Sequence, residues 1–238
     1  MRRFLLFFVV IVIVPGAYAG ELPPYLKEAL AHFSPAIPAD WAYTIATQRD
    51  NESSVERFDP SRPLEQQWTL LQRDHRPSTV EENSRYSSYR ISTAPSTHAT
   101  FGRGDIDLGT AQLVSENDRQ ALFRFRFRED LDDQMLRMLE LELTVVKQPA
   151  YIEQFSFRLA GPYSPVLAVK MLELRVETML SPPAEDHPGL PLRTTSRFRG
   201  RVLLFKHVEE DIQTAYSDFT RVKPLSSRPS GSQPSPPP

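Results

Sequence analysis

The amino-acid sequence predicts a mainly β protein: a strongly curved antiparallel meander, an open or half β-barrel, with a few short helices over its concave face. Three observations carry this expectation. Beyond Leu108, apolar and charged residues alternate with period two in one segment after another. The connections between those segments are short, and only two earlier stretches have helical character. Strict alternation marks half-buried antiparallel strands, apolar towards a core and polar towards water.

The chain opens on Arg2 and Arg3, an apolar run from Phe4 to Val14, the breaker Pro15-Gly16, and Ala17-Tyr18-Ala19. This is the layout of a secretory signal peptide, expected to be cleaved after Ala19, and the apolar run is too short for the roughly 20 residues a membrane span needs. The expected location is therefore the periplasm or beyond. No cysteine follows the cleavage site and the chain has none, so lipid anchoring there, disulfides, thiolate metal sites and a cysteine nucleophile are excluded. Without Arg2 and Arg3, 26 of the 28 basic residues stand against 30 acidic ones, a net charge of −4. That balance gives no support for nucleic-acid binding.

Residues 20–222 read as one domain. Pro24 suits the first position of a helix over 25–33, where Leu26, Leu30 and Phe33 recur at helical spacing. Trp41, Tyr43 and Ile45 mark a first strand that ends near Asp50, and Phe58 to Pro63 is irregular. Trp68 to Leu71 is a short strand. Ser78 with Glu81 has the form of a capping box opening a helix to about Tyr89, and residues 91–104 read as loop. Then come the alternating segments: Phe123, Phe125 and Phe127 between arginines; Leu139 to Val145 between glutamates; Phe155, Phe157 and Leu159; Leu172, Leu174 and Val176; Thr194, Ser196, Phe198 and Val202 opposite a row of arginines. A last strand covers about Ile212 to Val222. The turns at Glu116–Arg119, Lys147–Pro149 and Gly161–Pro165 are short, so neighbours in sequence are expected to be neighbours in the sheet. Glu129 to Leu136 reads as a short helical turn with acids at its positive end. The final stretch, 223–238, holds six prolines in sixteen residues and reads as a disordered tail.

About eight strands with a single apolar face must curl and be covered, and the two helices are the available covers. The concave face is expected to carry Phe123, Phe125, Phe127, Phe155, Phe157, Leu174 and Phe198, which form the candidate surface for a hydrophobic ligand. The convex face is a lattice of Arg and Glu, read as a solvated surface of cross-strand pairs. The five histidines are scattered, Asp105 and Asp107 lack a third acid, and there is no GxSxG, Rossmann or phosphate-loop motif. No metal site, cofactor or catalytic residue is expected.

A signal without a lipid-attachment cysteine, a helix, a Trp/Tyr-rich strand and a long antiparallel meander together resemble the periplasmic outer-membrane lipoprotein carrier and receptor superfamily, the LolA/LolB-like half-barrels. The stretch from Phe58 through Trp68-Thr69-Leu70-Leu71 also looks like an uncharacterised group of proteobacterial secreted proteins. The resemblance implies a helix-covered half-barrel whose apolar cavity takes acyl chains. The expected function is a non-enzymatic binding or carrier protein for a lipid or another hydrophobic molecule. The alternative is a structural or interaction protein of the cell envelope with a self-filled core, meeting a protein partner.

Overall fold

A computed structural model describes residues 21–92, 101–166, 168–203 and 206–225. The described residues form one open antiparallel sheet of 12 strands with three short α-helices, the mainly β class expected. The strands are β1 (Trp41–Arg49), β2 (Glu52–Phe58), β3 (Trp68–Arg73), β4 (Arg76–Pro77), β5 (Ile106–Glu116), β6 (Gln120–Phe127), β7 (Leu139–Lys147), β8 (Ala150–Leu159), β9 (Tyr163–Val166), β10 (Val169–Leu180), β11 (Pro191–Val202) and β12 (Lys206–Arg221). Their spatial order is β4-β3-β2-β1-β12-β11-β10-β8-β7-β6-β5, with β9 pairing beside β10. The meander holds from β5 to β12. The neighbour rule fails between β4 and β5, which stand at opposite edges of the sheet, and β1 joins the two halves by pairing with β12 through Thr47↔Thr214 and Ile45↔Tyr216.

The count exceeds about eight for identifiable reasons. Strand β2 turns Glu56 inwards, opposite Ile45 and Leu70, and a charged residue on the core face hides the alternation. Strand β9 occupies the stretch read as a Gly161–Pro165 loop. Strands β4 and β5 make up the remainder, and the expected last strand, β12, begins at Lys206, six residues before Ile212.

Helix α1 (Pro24–Ala31) starts with proline in its first turn, as expected. It lays Leu26, Ala29 and Leu30 on β7 and β8, all essentially without exposure; burying one such leucine contributes about 1.5–3 kcal/mol. Helix α2 (Val80–Ser92) packs on β3. Its capping box lies one residue later than Ser78 and Glu81: Glu82 N–H donates to Thr79 Oγ1 at 3.2 Å, and Thr79 N–H donates to Glu82 Oε2 at 2.9 Å. Ser78 instead donates its hydroxyl to the Leu70 carbonyl at 2.6 Å, and Leu70 N–H donates to Asn83 Oδ1 at 3.2 Å. These side chains occupy backbone groups of β3 that the two-residue β4 leaves unpaired, which shields a sheet edge. Helix α3 (Gln134–Arg137) is the expected short turn, capped by Asp133 Oδ1, which accepts from Met135 and Leu136 N–H.

Of the stretch 91–104 read as loop, Ile91 and Ser92 end α2, residues 93–100 lie outside the described residues, and Arg103–Asp105 is a 3-10 turn. The signal segment 1–19 and residues 226–238 of the tail also lie outside them. Leu225 N–H donates to the Pro60 carbonyl at 3.1 Å, so the start of the tail is tied to the loop after β2.

Candidate functional site

Directly opposed residues of paired strands share a face, so the registers define one inner face from β3 to β6. Both α1 and α2 pack on it. Five of the seven candidate residues, Phe123, Phe125, Phe127, Phe155 and Phe157, lie in the part covered by α1 and are at most 5 % exposed. They are sealed by Leu26 and Leu30 and by Phe101, whose ring stands 4.9 Å from that of Phe157 and 5.5 Å from that of Phe127. Phe101 escapes sequence reading because a lone aromatic among polar residues has no period. This half of the face is a filled core.

The other half is closed by a second cluster. Tyr43 gathers Phe58, Trp68, Tyr216 and Phe219 within ring distances of 5.2–6.5 Å. Beside it, buried Glu56 accepts from Tyr86 Oη at 2.5 Å, from Ser54 Oγ at 3.0 Å and from the Arg90 guanidinium, which lies 4.4 Å over the Trp68 ring. Burial, and the neighbouring Glu56 carboxylate, push the Tyr86 hydroxyl above the usual tyrosine range.

Of the remaining two candidates, Leu174 packs at the edge of the core under α1 and Phe198 is half-buried beside it. They face each other across β10 and β11 in the middle of the sheet, between the strands that receive the two helices. The rows on this face hold Met171, Gly200 and Val208; then Leu174, Phe198 and Glu210; then Val176, Ser196, Ile212 and Arg49. Leu174, Val176, Phe198, Val208 and Ile212 are all half-buried. A Cβ on Gly200 would meet Phe198 Cζ and the Lys170 carbonyl, each at 2.8 Å, so the ring lies flat along its own strand over the glycine.

The strip ends on a row of hydroxyls. Thr47, Thr214, Thr194 and Thr178 oppose one another across β1, β12, β11 and β10, with Thr178 and Thr194 Oγ1 3.0 Å apart. Burial raises the Tyr216 hydroxyl above its ordinary range, against the effect of its hydrogen bond with Thr194. On the β12 and β1 side of these rows, Glu210, opposite Phe198, pairs with the Arg49 guanidinium at 2.9 Å. The strip therefore offers apolar contact along β10–β12, hydroxyl hydrogen bonds at one end, and a neutralised ion pair. Val208 and Ile212 were missed as candidates because Glu209 and Glu210 break the alternation in β12.

The outer face is the Arg/Glu lattice. Arg124 pairs with Glu142 at 2.8 Å, Arg158 with Glu140 at 2.6 Å, Arg197 with Asp211 at 2.8 Å and Arg199 with Glu209 at 2.7 Å. Exposed pairs of this kind contribute about 0–1 kcal/mol each. Asp105 and Asp107 serve turns: Asp105 Oδ2 accepts from Gly102 N–H at 2.7 Å and Asp107 Oδ1 from Gly109 N–H at 3.0 Å. Among the described residues no group of three metal-ligating side chains converges.

The fold and strip define a class, an open antiparallel sheet plugged at both flanks by helices. No family model matches the chain, and no curated protein matches it. Among solved structures, an isomerase-inactive variant of GphF DH1 aligns at 13 % identity and a TM-score of 0.16, over 85 % of this chain and 82 % of that one. GphF Dehydratase 1 aligns at 14 % identity and 0.16, over 84 % and 83 %. Scores this low carry no argument about either fold or function.

Proposed function

We propose that the protein is a secreted, non-enzymatic binding or carrier protein that holds a hydrophobic ligand, an acyl chain or lipid, on the inner face of its sheet. The observation that carries this reading is the half-buried apolar strip of Leu174, Val176, Phe198, Val208 and Ile212 between the strands that α1 and α2 cover. Of the residues expected to bind, Leu174 and Phe198 keep that role, and the five buried phenylalanines form the wall behind it. The run from Val202 to Thr194 spans about 26 Å at the rise of a β-strand. An extended chain laid along it meets apolar side chains for most of its length and hydroxyls where a polar head needs hydrogen bonds. Native mass spectrometry of protein purified from its own secreting host tests this. A co-purified species that dissociates as an acyl-bearing molecule supports it. Only the bare polypeptide mass, from protein that also takes up no added fatty acid, contradicts it.

One observation favours the alternative, a structural or interaction protein of the envelope with a self-filled core. The recess bounded by Ala29, Phe33, Tyr151 and Leu180 has room for roughly one water. A ligand therefore has to lie along the strip as on a ramp, since that recess cannot enclose it.

A further inference from the structure

The apolar strip ends on hydroxyls in register. Thr178, Thr194, Thr214, Thr47 and Ser54 oppose one another in turn across β10, β11, β12, β1 and β2. Valine has the same shape as threonine and is as much at home in a strand, so this run is explained by its oxygens rather than by the fold. Two of them are engaged elsewhere in the row: Thr178 and Thr194 Oγ1 share a hydrogen bond, and Ser54 Oγ donates to Glu56 at 3.0 Å. The hydroxyls of Thr214 and Thr47, and of Ser196 one row nearer the middle of the strip, have no hydrogen-bond partner among the described residues. All three side chains are half-buried, yet among the described residues no fully buried side-chain oxygen lacks a partner. These three oxygens therefore open on to whatever lies against the face. Strand spacing sets Thr47 and Thr214 about 5 Å apart, the width of a glycerol unit or a sugar ring.

The charges beside this row cancel locally. Glu210 pairs with Arg49 at 2.9 Å and Glu56 pairs with Arg90, while Glu52, opposite Arg49, adds an exposed carboxylate. Arg73 lies two strands beyond Thr47, and Lys206 stands eight residues along β12 from Thr214, about 26 Å away at the rise of a strand. A carboxylate or phosphate laid on Thr214 thus meets no unpaired base of this face on β1, on β11 or on the adjacent stretch of β12 among the described residues. An uncharged head loses nothing there. Burial raises the Tyr216 hydroxyl, two residues further along β12, so it stays neutral and able to donate.

We propose, on the reading of the strip as a ligand surface, that the chain it holds carries an uncharged, hydroxyl-bearing head, a glycerol or sugar unit, seated on Ser196, Thr214 and Thr47. The ligand is then a neutral acylglycerol or glycolipid rather than a fatty acid or a phospholipid. Its hydroxyls both donate and accept, which suits three hydroxyls of the protein that do the same.

Displacement of a bound fluorescent fatty acid tests this, with competitors of one chain length kept below their micelle concentrations: a monoacylglycerol, the matching lysophosphatidate and an alkyl glucoside. The monoacylglycerol or the glucoside should displace the probe at about tenfold lower concentration than the lysophosphatidate, the effect of two hydrogen bonds of ordinary strength. Whichever of the two acts at the lower concentration identifies the head as glycerol or sugar. In the double variant Thr47→Val, Thr214→Val, with circular dichroism and the unfolding midpoint as checks of folding, that advantage should vanish. Ser196→Ala provides a second variant and should lose part of it. Probe uptake with equal displacement by all heads, or with a preference for the phosphate, overturns the neutral head and leaves the ligand surface standing. A preference that survives in the folded double variant overturns its assignment to these hydroxyls. No probe uptake at all removes both the head and the surface.

Discussion

Tyr86 Oη donates to Glu56 Oε2 at 2.5 Å, from the middle of α2 to the inner face of β2, and Arg90 one helical turn on reaches the same oxygen. The carboxylate, the hydroxyl and the guanidinium satisfy one another in a largely buried setting. Removing one partner leaves the rest buried and uncompensated. Glu56→Ala should therefore cost about 3–5 kcal/mol in equilibrium unfolding. A loss below about 1 kcal/mol would show that α2 is held by its capping and edge contacts alone.

Phe157 and Phe198 lie on the same face but differ in cover. Phe157, ringed by Phe101, Phe127 and Phe155, should lose about 3–5 kcal/mol on Phe157→Ala through lost burial and a new cavity. Half-buried Phe198 should lose about 1 kcal/mol on Phe198→Ala. Parallel urea titrations check both, and equal losses would mean that the central strip is packed like the flank.

How far these differences could be read from the sequence depends on what each residue does. Strands β6, β7, β8, β10 and β11 were legible because their alternation is unbroken. The face assignment of all seven candidate residues follows from it. Cover was not legible, since it depends on Phe101, a single aromatic in a polar stretch, and on where α1 lands. Strand β2 was hidden by Glu56, whose charge is met by Arg90 of α2, 34 positions away, with further hydrogen bonds from Tyr86 and Ser54. The β1–β12 pairing has no local signal, because alternation assigns a face but not a neighbour.

Gly200 has no room for a side chain, with Phe198 Cζ and the Lys170 carbonyl each 2.8 Å from where a Cβ would stand. Gly200→Val should lower stability by about 1–3 kcal/mol and lift the Phe198 ring off the strand. Thermal unfolding combined with fatty-acid uptake checks this. An unchanged midpoint would contradict the close packing.

Hydrogen bonds from Arg76 and from the Thr79 backbone hold the Glu82 carboxyl at about 2, below its ordinary 4.5. A depressed carboxyl pKa stabilises the folded state above the unfolded value, and that contribution is lost as pH falls through the folded one. The contribution of this cap to α2 should thus be complete above about pH 4.5 and lost on acidification towards about pH 2. Carbon-detected NMR should find Glu82 titrating near 2 in wild type and at a higher pH in Arg76→Ala. The same midpoint in both proteins would remove Arg76 as the cause.

The central claim is that the strip along β10–β12 accepts an apolar chain, and titration of a fluorescent fatty acid against wild type and Ile212→Glu tests it most directly. Ile212 stands mid-strip opposite Arg49 and Ser196, beside the Arg49–Glu210 pair, so a glutamate there can share the Arg49 guanidinium with Glu210 while the strip loses its apolar floor. The prediction is saturable, one-to-one uptake by wild type and its loss in Ile212→Glu, with unfolding midpoints close together. No saturable uptake by wild type, or uptake unchanged in the folded variant, would contradict the account.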